Sequence, residues 1–242
     1  MTKDIAPVKP TRSIIAVIPA RKGSKRFPGK NTALLNGKPL VAHAIDVAIE
    51  TGLFSRVCVT TDDAKVMAIA REKRVDVFQR PKELCGDTVL VDQAVLNVMH
   101  TLESRGERHD AVCLMTSTAP LRTADDVRGA VRLFWEKAAD FVITVTEYEY
   151  NPYYALVIRN DVLEPAFMED AFFKDRSLLP VLYRPMALSR IGKWDAVKKH
   201  GTIFGKGMIP YIVPAYHAVD IDKPIDLEWA EFLLKKRIRG LK

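Results

Sequence analysis

Short apolar segments alternate with amphipathic ones over the first 146 residues of the chain. The apolar runs hold five or six residues each and are rich in β-branched side chains, as buried strands are. They are SIIAVI (13–18), RVCVTT (56–61), VDVFQ (75–79), AVCLMT (111–116) and FVITVT (141–146). The stretches between them predict helices at 39–51, 63–73, 89–104 and 123–138. Continuous apolar strands separated by helices favour a largely parallel sheet covered on both faces, so we expect an α/β fold with three layers.

The alternation stops after Thr146. Residues 147–184 carry aromatic side chains and prolines without a clean period, which indicates an inserted arm rather than another strand-helix unit. Because exposed aromatic side chains need cover, we expect this arm to pack on a second subunit.

The C-terminal part returns to regular patterns. It predicts strands at 184–191, 209–213 and 218–222, followed by a helix from Pro224 to Arg239. We therefore expect a flexible polar tail at 1–12 and a single domain over 13–242 that carries the arm.

The composition limits the kinds of binding partner and the cellular compartment that we expect for this chain. A net charge of +7, from 37 Lys and Arg against 30 Asp and Glu, can attract nucleic acid, a membrane surface or an anionic small substrate. The apolar run after the polar N-terminal residues is too short for a signal peptide or a membrane span. The three cysteines, Cys58, Cys85 and Cys113, include no CxxC pair, which predicts free thiols in a reduced, cytoplasmic compartment.

A basic loop, PARKGSKRFPGKN (19–31), directly follows the first predicted strand. Its five cationic side chains are Arg21, Lys22, Lys25, Arg26 and Lys30. The loop is not a P-loop, because five residues separate its glycines and Asn31 follows Lys30 where that motif has Ser or Thr. It still favours an anion, since the amides at Gly23 and Ser24 and the guanidinium of Arg21 could meet phosphate oxygens. The alternative is a solvated lysine-rich loop.

Two aspartates lie two residues apart in AVDID (218–222). On a strand, this spacing puts the carboxylates of Asp220 and Asp222 on one face, with Ile221 towards the core. Mg²⁺ takes one or two carboxylates and completes its shell with phosphate and water, so the pair suits that ion. Alternatively, Asp222 caps the helix that begins near Pro224.

Several motifs together resemble the acylneuraminate cytidylyltransferases, the family of CMP-sialic acid synthetases and their relatives for other nonulosonic acids. The family signature, A-R-x-x-S-K and then K-N after an apolar strand, matches Arg21, Ser24, Lys25, Lys30 and Asn31. The likeness continues in order through TTDD (60–63), RPKEL (80–84) with Asp87-Thr88, PLR (120–122) and DID (220–222). It covers residues 13–235.

The resemblance implies a Rossmann-like nucleotidyltransferase fold and a Mg²⁺-dependent reaction. In that reaction CTP and a nine-carbon 2-keto acid sugar give a CMP-sugar and pyrophosphate, and the enzyme is a homodimer. The residues it assigns to CTP are Arg21, Ser24, Lys25, Lys30, Asn31, Arg80 and Asp87. Asp220 and Asp222 bind the metal and, with Arg21 and Lys30, form the catalytic set.

The same resemblance points to a sugar wall. Its predicted residues are Thr116, Arg122, Tyr154, Arg176, Arg184 and Arg190, with Arg176 the first candidate for the sugar carboxylate. Three of them depart from the family: Thr116 replaces the Gln of QPTSPLR, Arg190 stands at the Tyr of RPNGAxY, and Tyr154 stands where Lys is common.

These departures predict an acceptor other than N-acetylneuraminate, such as a pseudaminic or legionaminic acid. Two other readings stay open. One is a nucleotidyltransferase for Kdo or a sugar phosphate. The other is a non-catalytic nucleic-acid-binding protein, which the paired aspartates disfavour because carboxylates repel phosphate unless a metal is present.

Overall fold

The computed structural model describes residues 12–167 and 169–239, so the tail predicted at 1–12 lies, except for Arg12, outside the described residues. The strands are β1 (Ile14–Pro19), β2 (Leu34–Leu35), β3 (Lys38–Pro39), β4 (Arg56–Thr61), β5 (Asp76–Gln79), β6 (Ala111–Leu114), β7 (Phe141–Glu147), β8 (Leu156–Arg159), β9 (Val162–Pro165), β10 (Tyr183–Lys193) and β11 (Ile209–Ile212). The α-helices are α1 (Leu40–Thr51), α2 (Ala64–Glu72), α3 (Val91–Ser104), α4 (Ala124–Glu136), α5 (Glu169–Phe172), α6 (Trp194–His200) and α7 (Pro224–Ile238).

A mixed, mostly parallel sheet forms the centre of the molecule, in the order β11-β7-β10-β6-β1-β4-β5. Strand β10 pairs antiparallel with both β6 and β7, whereas the other pairs are parallel. The predicted α/β class is confirmed. Because the parallel strands share one direction, the loops that follow β1, β4, β5 and β6 meet at the same edge.

Helices cover both faces of the sheet, as the continuous apolar strands predict. On one face, β1 buries Ile14, Ala16 and Ile18 against α1, α2 and α4. On the other face, Ile15 and Val17 pack against α3 and α6. Alternate residues of one strand thus serve two cores, which explains why the strand is apolar throughout.

The predicted helices and strands lie close to their observed bounds, with one exception. Thr123 caps α4 in a capping box with Asp126, as expected for its N-terminus. The prediction of a strand at 218–222 is wrong: the segment has no regular structure, and one backbone hydrogen bond, from the Ile221 amide to the Thr118 carbonyl (2.8 Å), joins it to the segment after β6. One hydrogen bond is not enough to make this segment a strand of the sheet.

The arm predicted at 147–184 contains a hairpin of its own. Strands β8 and β9 pair only with each other and turn at Asn160 and Asp161, both with positive φ. Among the described residues of this arm, many large apolar side chains are exposed, for example Tyr150 (81%), Ile158 (71%) and Phe173 (74%). Within residues 12–167 and 169–239, no helix has the length and apolar content that a bilayer span needs.

Candidate active site

The basic loop leaves the carboxyl end of β1 at the centre of the sheet edge. It has no regular structure until a single 3₁₀ turn at Lys30–Thr32, as its sequence predicts. One expectation about the loop is wrong: the Ser24 amide is not free for phosphate, because it donates to the Lys22 carbonyl (3.1 Å). Side chains therefore carry more of the loop's anion-binding capacity than its backbone does.

A cleft of about 500 Å³ lies beside the loop. All of the residues predicted to bind CTP line it, together with Thr116 of the predicted sugar wall. These residues are Arg21, Ser24, Lys25, Lys30, Asn31, Arg80 and Asp87. They come from the loops after β1, β5 and β6, so the parallel topology brings distant sequence motifs to one place.

Two aspartates compensate the charge of the loop. Asp87 contacts Arg21 (2.9 Å) and Lys25 (2.6 Å), and hydrogen bonds from Lys25 and Arg21 lower the pKa of its carboxyl group. Asp222 contacts Arg26 and Lys30, each at 3.0 Å. Four of the five cations of the loop thus contact a carboxylate.

Asp222 reaches the basic loop instead of capping α7. The cap comes from Asp226, whose carboxylate accepts from the amides of Asp222 (2.8 Å) and Lys223 (2.7 Å). Ile221 is buried, as the alternating pattern predicts, and Asp220 is exposed beside a second cavity. The capping alternative is therefore wrong, and the carboxylate of Asp222 instead contacts Arg26 and Lys30, which line the cleft.

Asp220 and Asp222 stay the predicted metal ligands: the carboxylate of Asp222 contacts Lys30 of the cleft, and Asp220 lines the second cavity. Among the described residues, no group of three potential metal-ligating side chains occurs. Mg²⁺ does not need one, because it binds through one or two carboxylates plus substrate phosphates and water. The present partners of Asp222, Arg26 and Lys30, are cations that phosphate oxygens can take over.

The side chain of Asn31 is held at both ends of its amide. Its Nδ2 donates to the Arg21 carbonyl (2.7 Å), and its Oδ1 accepts from the hydroxyl of Ser117 (2.5 Å). Ser117 is buried and lines the cleft, yet the sequence analysis does not single it out. Its position just after β6, at the functional edge of the sheet, is the signal that could have identified it.

Arg80 supplies a buried guanidinium to the same cleft. It is only 6% exposed, and burial lowers its pKa. Its Nη2 has a long contact with the Thr60 carbonyl (3.4 Å), while Nε has no partner among the described residues. It therefore keeps unused donors for a ligand, in agreement with a position near the nucleoside.

The sequence of residues 15–238 matches the family model described as cytidylyltransferase. The chain belongs to the cytidylyltransferase family. It is therefore a nucleotidyltransferase. Its basic loop contributes four cations, Arg21, Lys25, Arg26 and Lys30, to the lining of the cleft.

Curated relatives of this cytidylyltransferase match over nearly its whole length. The pseudaminic acid cytidylyltransferase of Campylobacter jejuni serotype O:23/36 is 30% identical over 91% of this chain and 96% of its own. The CMP-N,N'-diacetyllegionaminic acid synthase of Legionella pneumophila is 28% identical over 92% and 96%. A solved CMP:2-keto-3-deoxy-manno-octonic acid synthetase complexed with CTP has the same fold, with a TM-score of 0.69 at 17% identity over 93% of this chain and 99% of the other.

Two of the predicted sugar residues of the cytidylyltransferase meet in a second cavity, of about 730 Å³. Arg176 and Arg184 line it with Asp220, and aromatic side chains of Tyr216 and Trp229 form part of its wall. The guanidinium groups donate to carbonyls, from Arg176 to Glu149 (2.9 Å) and from Arg184 to Ala218 (3.1 Å). The cavity therefore joins the arm to the segment that carries the paired aspartates.

The remaining predicted sugar residues, Tyr154, Arg122 and Arg190, line neither cavity. Tyr154 lies on the arm and donates to the Lys174 carbonyl (2.7 Å). Arg122 is 1% exposed and donates to the carbonyls of Thr116 and Leu188; burial lowers its pKa to about 10. Its hydrogen bond to the Thr116 carbonyl supports the segment that follows β6.

Proposed function

We propose that this cytidylyltransferase transfers CMP from CTP to the anomeric hydroxyl of a nonulosonic acid and releases pyrophosphate, with Mg²⁺ as its cofactor. The observation that carries the proposal is the cleft that every residue predicted for CTP lines, together with the contact that joins one of them, Lys30, to Asp222 (3.0 Å). The names of the relatives that match over most of the chain support a nonulosonic acid as the acceptor.

The cations of the basic loop bind the triphosphate by changing partners. Arg21 and Lys25 leave Asp87, and Lys30 leaves Asp222, when phosphate oxygens enter the cleft. The planar guanidinium of Arg21 can hold two oxygens at once. Because negative charge accumulates on the departing pyrophosphate, cations fixed beside it stabilise the transition state more than the bound substrate.

Asp220 and Asp222 would hold the metal ion. When bound, Mg²⁺ adds positive charge beside the phosphates and lowers the pKa of a hydroxyl that contacts it. The protein contributes orientation: Asn31 and Arg80 fix the nucleoside end, and the loop cations fix the phosphates, so that the sugar hydroxyl and the leaving oxygen can lie in line. Among the described residues, no histidine lines the cleft, and we assign no general base.

The acceptor is proposed to be a pseudaminic or legionaminic type of acid rather than N-acetylneuraminate. The sequence differs from that of the sialic acid synthetases at Thr116, which lines the cleft, and also at Tyr154 and Arg190. A buried polar contact that is lost leaves its partner unpaired, at a cost of about 1–3 kcal/mol, which is enough to change the preferred sugar.

We also propose that the enzyme works as a homodimer in the cytoplasm, where CTP is available. The arm supports the dimer, because its exposed apolar side chains form a surface that a monomer would leave in water.

A pyrophosphate-release assay tests the function. The purified enzyme is given Mg²⁺, one of CTP, ATP, UTP or GTP, and one of pseudaminic acid, legionaminic acid, N-acetylneuraminate or Kdo. We expect turnover with CTP and a pseudaminic or legionaminic acid. Arg21→Ala and Asp220→Asn should each lose it by about 100-fold or more, whereas Arg132→Ala, which removes an exposed cation of α4 that contacts Glu136, should not. Full activity in both site variants, or a strong preference for N-acetylneuraminate, would contradict the proposal.

A further inference from the structure

The segment between β11 and α7 carries both predicted metal ligands, yet it has little regular structure. A 3₁₀ turn, Ala215–His217, is followed by residues 218–222, which belong to no helix or strand. The carboxylate of Asp220 forms no hydrogen bond or salt bridge with the described residues, and Asp220 is exposed at the second cavity. The direction of this carboxylate is therefore set by the backbone of the segment, so the contacts that hold the backbone decide how well Asp220 can serve a metal ion.

Two backbone groups of the segment are held by neighbouring parts of the molecule. The Ala218 carbonyl accepts from Arg184 (3.1 Å), and the Ile221 amide donates to the Thr118 carbonyl (2.8 Å). These contacts lie before and after Asp220 in the sequence. A third contact, through a side chain, precedes both of them.

This third contact joins His217, the last residue of the 3₁₀ turn, to the first turn of α4. Its Nδ1 lies 3.1 Å from Oδ1 and 3.0 Å from Oδ2 of Asp126. Both side chains are largely buried, with 14% of the histidine and 10% of the aspartate exposed. Because carboxylate oxygens only accept, Nδ1 is the donor, and the buried surroundings strengthen the hydrogen bond.

Asp126 is a rigid partner for the histidine. Its Oδ2 accepts from the amide and from the hydroxyl of Thr123, at 2.8 Å each, in the capping box of α4. The helix itself is fixed to the sheet through buried side chains such as Ala130 and Phe134. The carboxylate cannot move without breaking the cap, so the contact ties the segment of the predicted metal ligands to a fixed helix.

We propose that His217, through its contact with Asp126, is a positioning residue for the metal site: it fixes the backbone from which Asp220 reaches Mg²⁺. This assignment rests on the proposed function. Mg²⁺ requires nearly ideal octahedral geometry, with ligand distances of about 2.0–2.1 Å. A carboxylate without side-chain partners meets this requirement only if its backbone is held in place. His217 lines neither the cleft nor the second cavity, so its effect reaches the reaction through the segment.

Titration of His217→Leu with Mg²⁺ tests the assignment, because leucine fills a similar space without a donor. We expect the Mg²⁺ concentration that gives half-maximal pyrophosphate release to rise by about 10-fold, as for residues that orient metal ligands. Saturating Mg²⁺ should restore most of kcat. The affinity for CTP in EDTA, measured by calorimetry, should stay within about twofold of wild type. Hydrogen exchange of the amides of residues 215–222, measured without metal, should be faster in the variant than in the wild type.

Two amide variants and one control separate positioning from a general loss of stability. His217→Asn keeps an NH₂ group at the place of Nδ1 and should recover most of the Mg²⁺ affinity, whereas His217→Gln moves that group one bond further out and should recover less. His100 provides the matched control, since its Nδ1 lies 3.8 Å from Glu103 but its side chain is 61% exposed on α3. His100→Ala should keep the Mg²⁺ requirement of the wild type.

The outcomes distinguish this assignment from the proposed function. If the wild type releases no pyrophosphate with any nonulosonic acid, both are overturned. If the wild type is active and His217→Leu keeps its Mg²⁺ requirement, or loses CTP affinity in EDTA by the same factor, only the assignment of His217 is overturned. Thermal unfolding establishes that the variants are folded. Should His217→Leu fail to fold, equal Mg²⁺ requirements of His217→Asn and His217→Gln would overturn the assignment.

Discussion

Lys30 Nζ lies 3.0 Å from Oδ1 of Asp222, a residue 192 positions further along the chain. The contact joins the loop that follows the first strand to the segment that precedes the last helix. The lysine and the aspartate neutralise each other in this position. The two groups have different proposed partners, phosphate for Lys30 and Mg²⁺ for Asp222.

Substitution of Asp222 by Asn should separate these two roles. Without a counter-ion, Lys30 and Arg26 attract phosphate more strongly, so CTP should bind more tightly to Asp222→Asn than to wild type when EDTA is present. Turnover with Mg²⁺ should fall by about 100-fold, because the metal loses a carboxylate beside the developing charge. Calorimetric titration of CTP and pyrophosphate release measure the two effects. Asp195→Asn, which removes a surface carboxylate paired with Arg108, is the control; weaker binding of CTP to Asp222→Asn in EDTA would argue against the exchange.

Asp87 should compete with phosphate for the same loop. Its carboxylate contacts Arg21 and Lys25, and these hydrogen bonds lower its pKa from an ordinary value near 3.8, so it is ionised at neutral pH. Asp87→Asn should make pyrophosphate a stronger product inhibitor, by up to about fivefold, as expected for an exposed ion pair. The inhibition constant for pyrophosphate, measured against CTP, tests this. A weaker inhibition by pyrophosphate would mean that Asp87 contacts the nucleotide directly instead of competing with it for Arg21 and Lys25.

The sequence predicted the regular parts of the fold because their signals are local. Apolar runs and capping residues such as Thr123 specify the sheet and its helices within a few residues. Segment 218–222 has the alternation of a strand, but pairing depends on a neighbour that the pattern does not contain. The β2–β3 hairpin was missed although Asn36-Gly37, with φ of 49° and 77°, is a strong turn signal.

The candidate site, like the fold, could be predicted from the sequence only in part. Ordered motifs predicted the residues of the cleft and the approach of Asp222 to the loop. They could not predict that Ser117 holds Asn31, 86 residues away, or that Arg190 faces a ring instead of a carboxylate. Both facts depend on which side chains the finished fold leaves without partners, and that information is not contained in any single motif.

The hydroxyl of Ser117 should fix the orientation of the Asn31 amide. Removal of the hydroxyl in Ser117→Ala leaves Asn31 Oδ1 without this donor in a buried place, at a cost of about 1–3 kcal/mol. We expect KM for CTP to rise by about tenfold while KM for the acceptor changes little, since Asn31 is proposed to lie at the nucleoside end. Ser117→Thr keeps a hydroxyl and should retain most of the affinity. An unchanged KM for CTP in Ser117→Ala would show that Asn31 needs no such support.

The arm should carry the dimer contact. Ile158 and Leu163 lie opposite each other in the β8–β9 hairpin, and both are largely exposed. Aspartate at both positions places two like charges in an apolar surface, so the double variant should be monomeric at concentrations where the wild type is a dimer. Light scattering coupled to size-exclusion chromatography gives the masses. Leu90→Asp, an equally exposed apolar residue outside the arm, should keep the mass of the wild type; a double variant that stays dimeric would place the contact elsewhere.

His43 should make the protein less stable in mild acid. The residue is half-buried in α1, its Nε2 lies 3.0 Å from the Leu35 carbonyl, and burial lowers its pKa below the ordinary 6.5. A histidine with a lowered pKa binds fewer protons in the folded state than in the unfolded state. The free energy of unfolding therefore rises with pH in this range, and stability is lost as the pH falls from about 6.5 through the folded-state pKa of the ring.

Replacement of His43 by Gln tests this origin of the acid sensitivity, because an amide cannot take up the proton while its NH₂ group can still donate to the Leu35 carbonyl. Urea unfolding between pH 5 and pH 8.5 should give a smaller decrease in stability towards acid for His43→Gln than for wild type. At alkaline pH the free energies of unfolding of the two proteins should change with pH in the same way, because the histidine ring of the wild type and the amide of the variant are both neutral there. His109 acts in the same direction, because burial lowers its pKa too. The double variant His43→Gln/His109→Gln should therefore lose even less stability towards acid than the single variant. If the single variant keeps the full acid dependence of the wild type, His43 is not its source and other groups control the stability of this fold in acid.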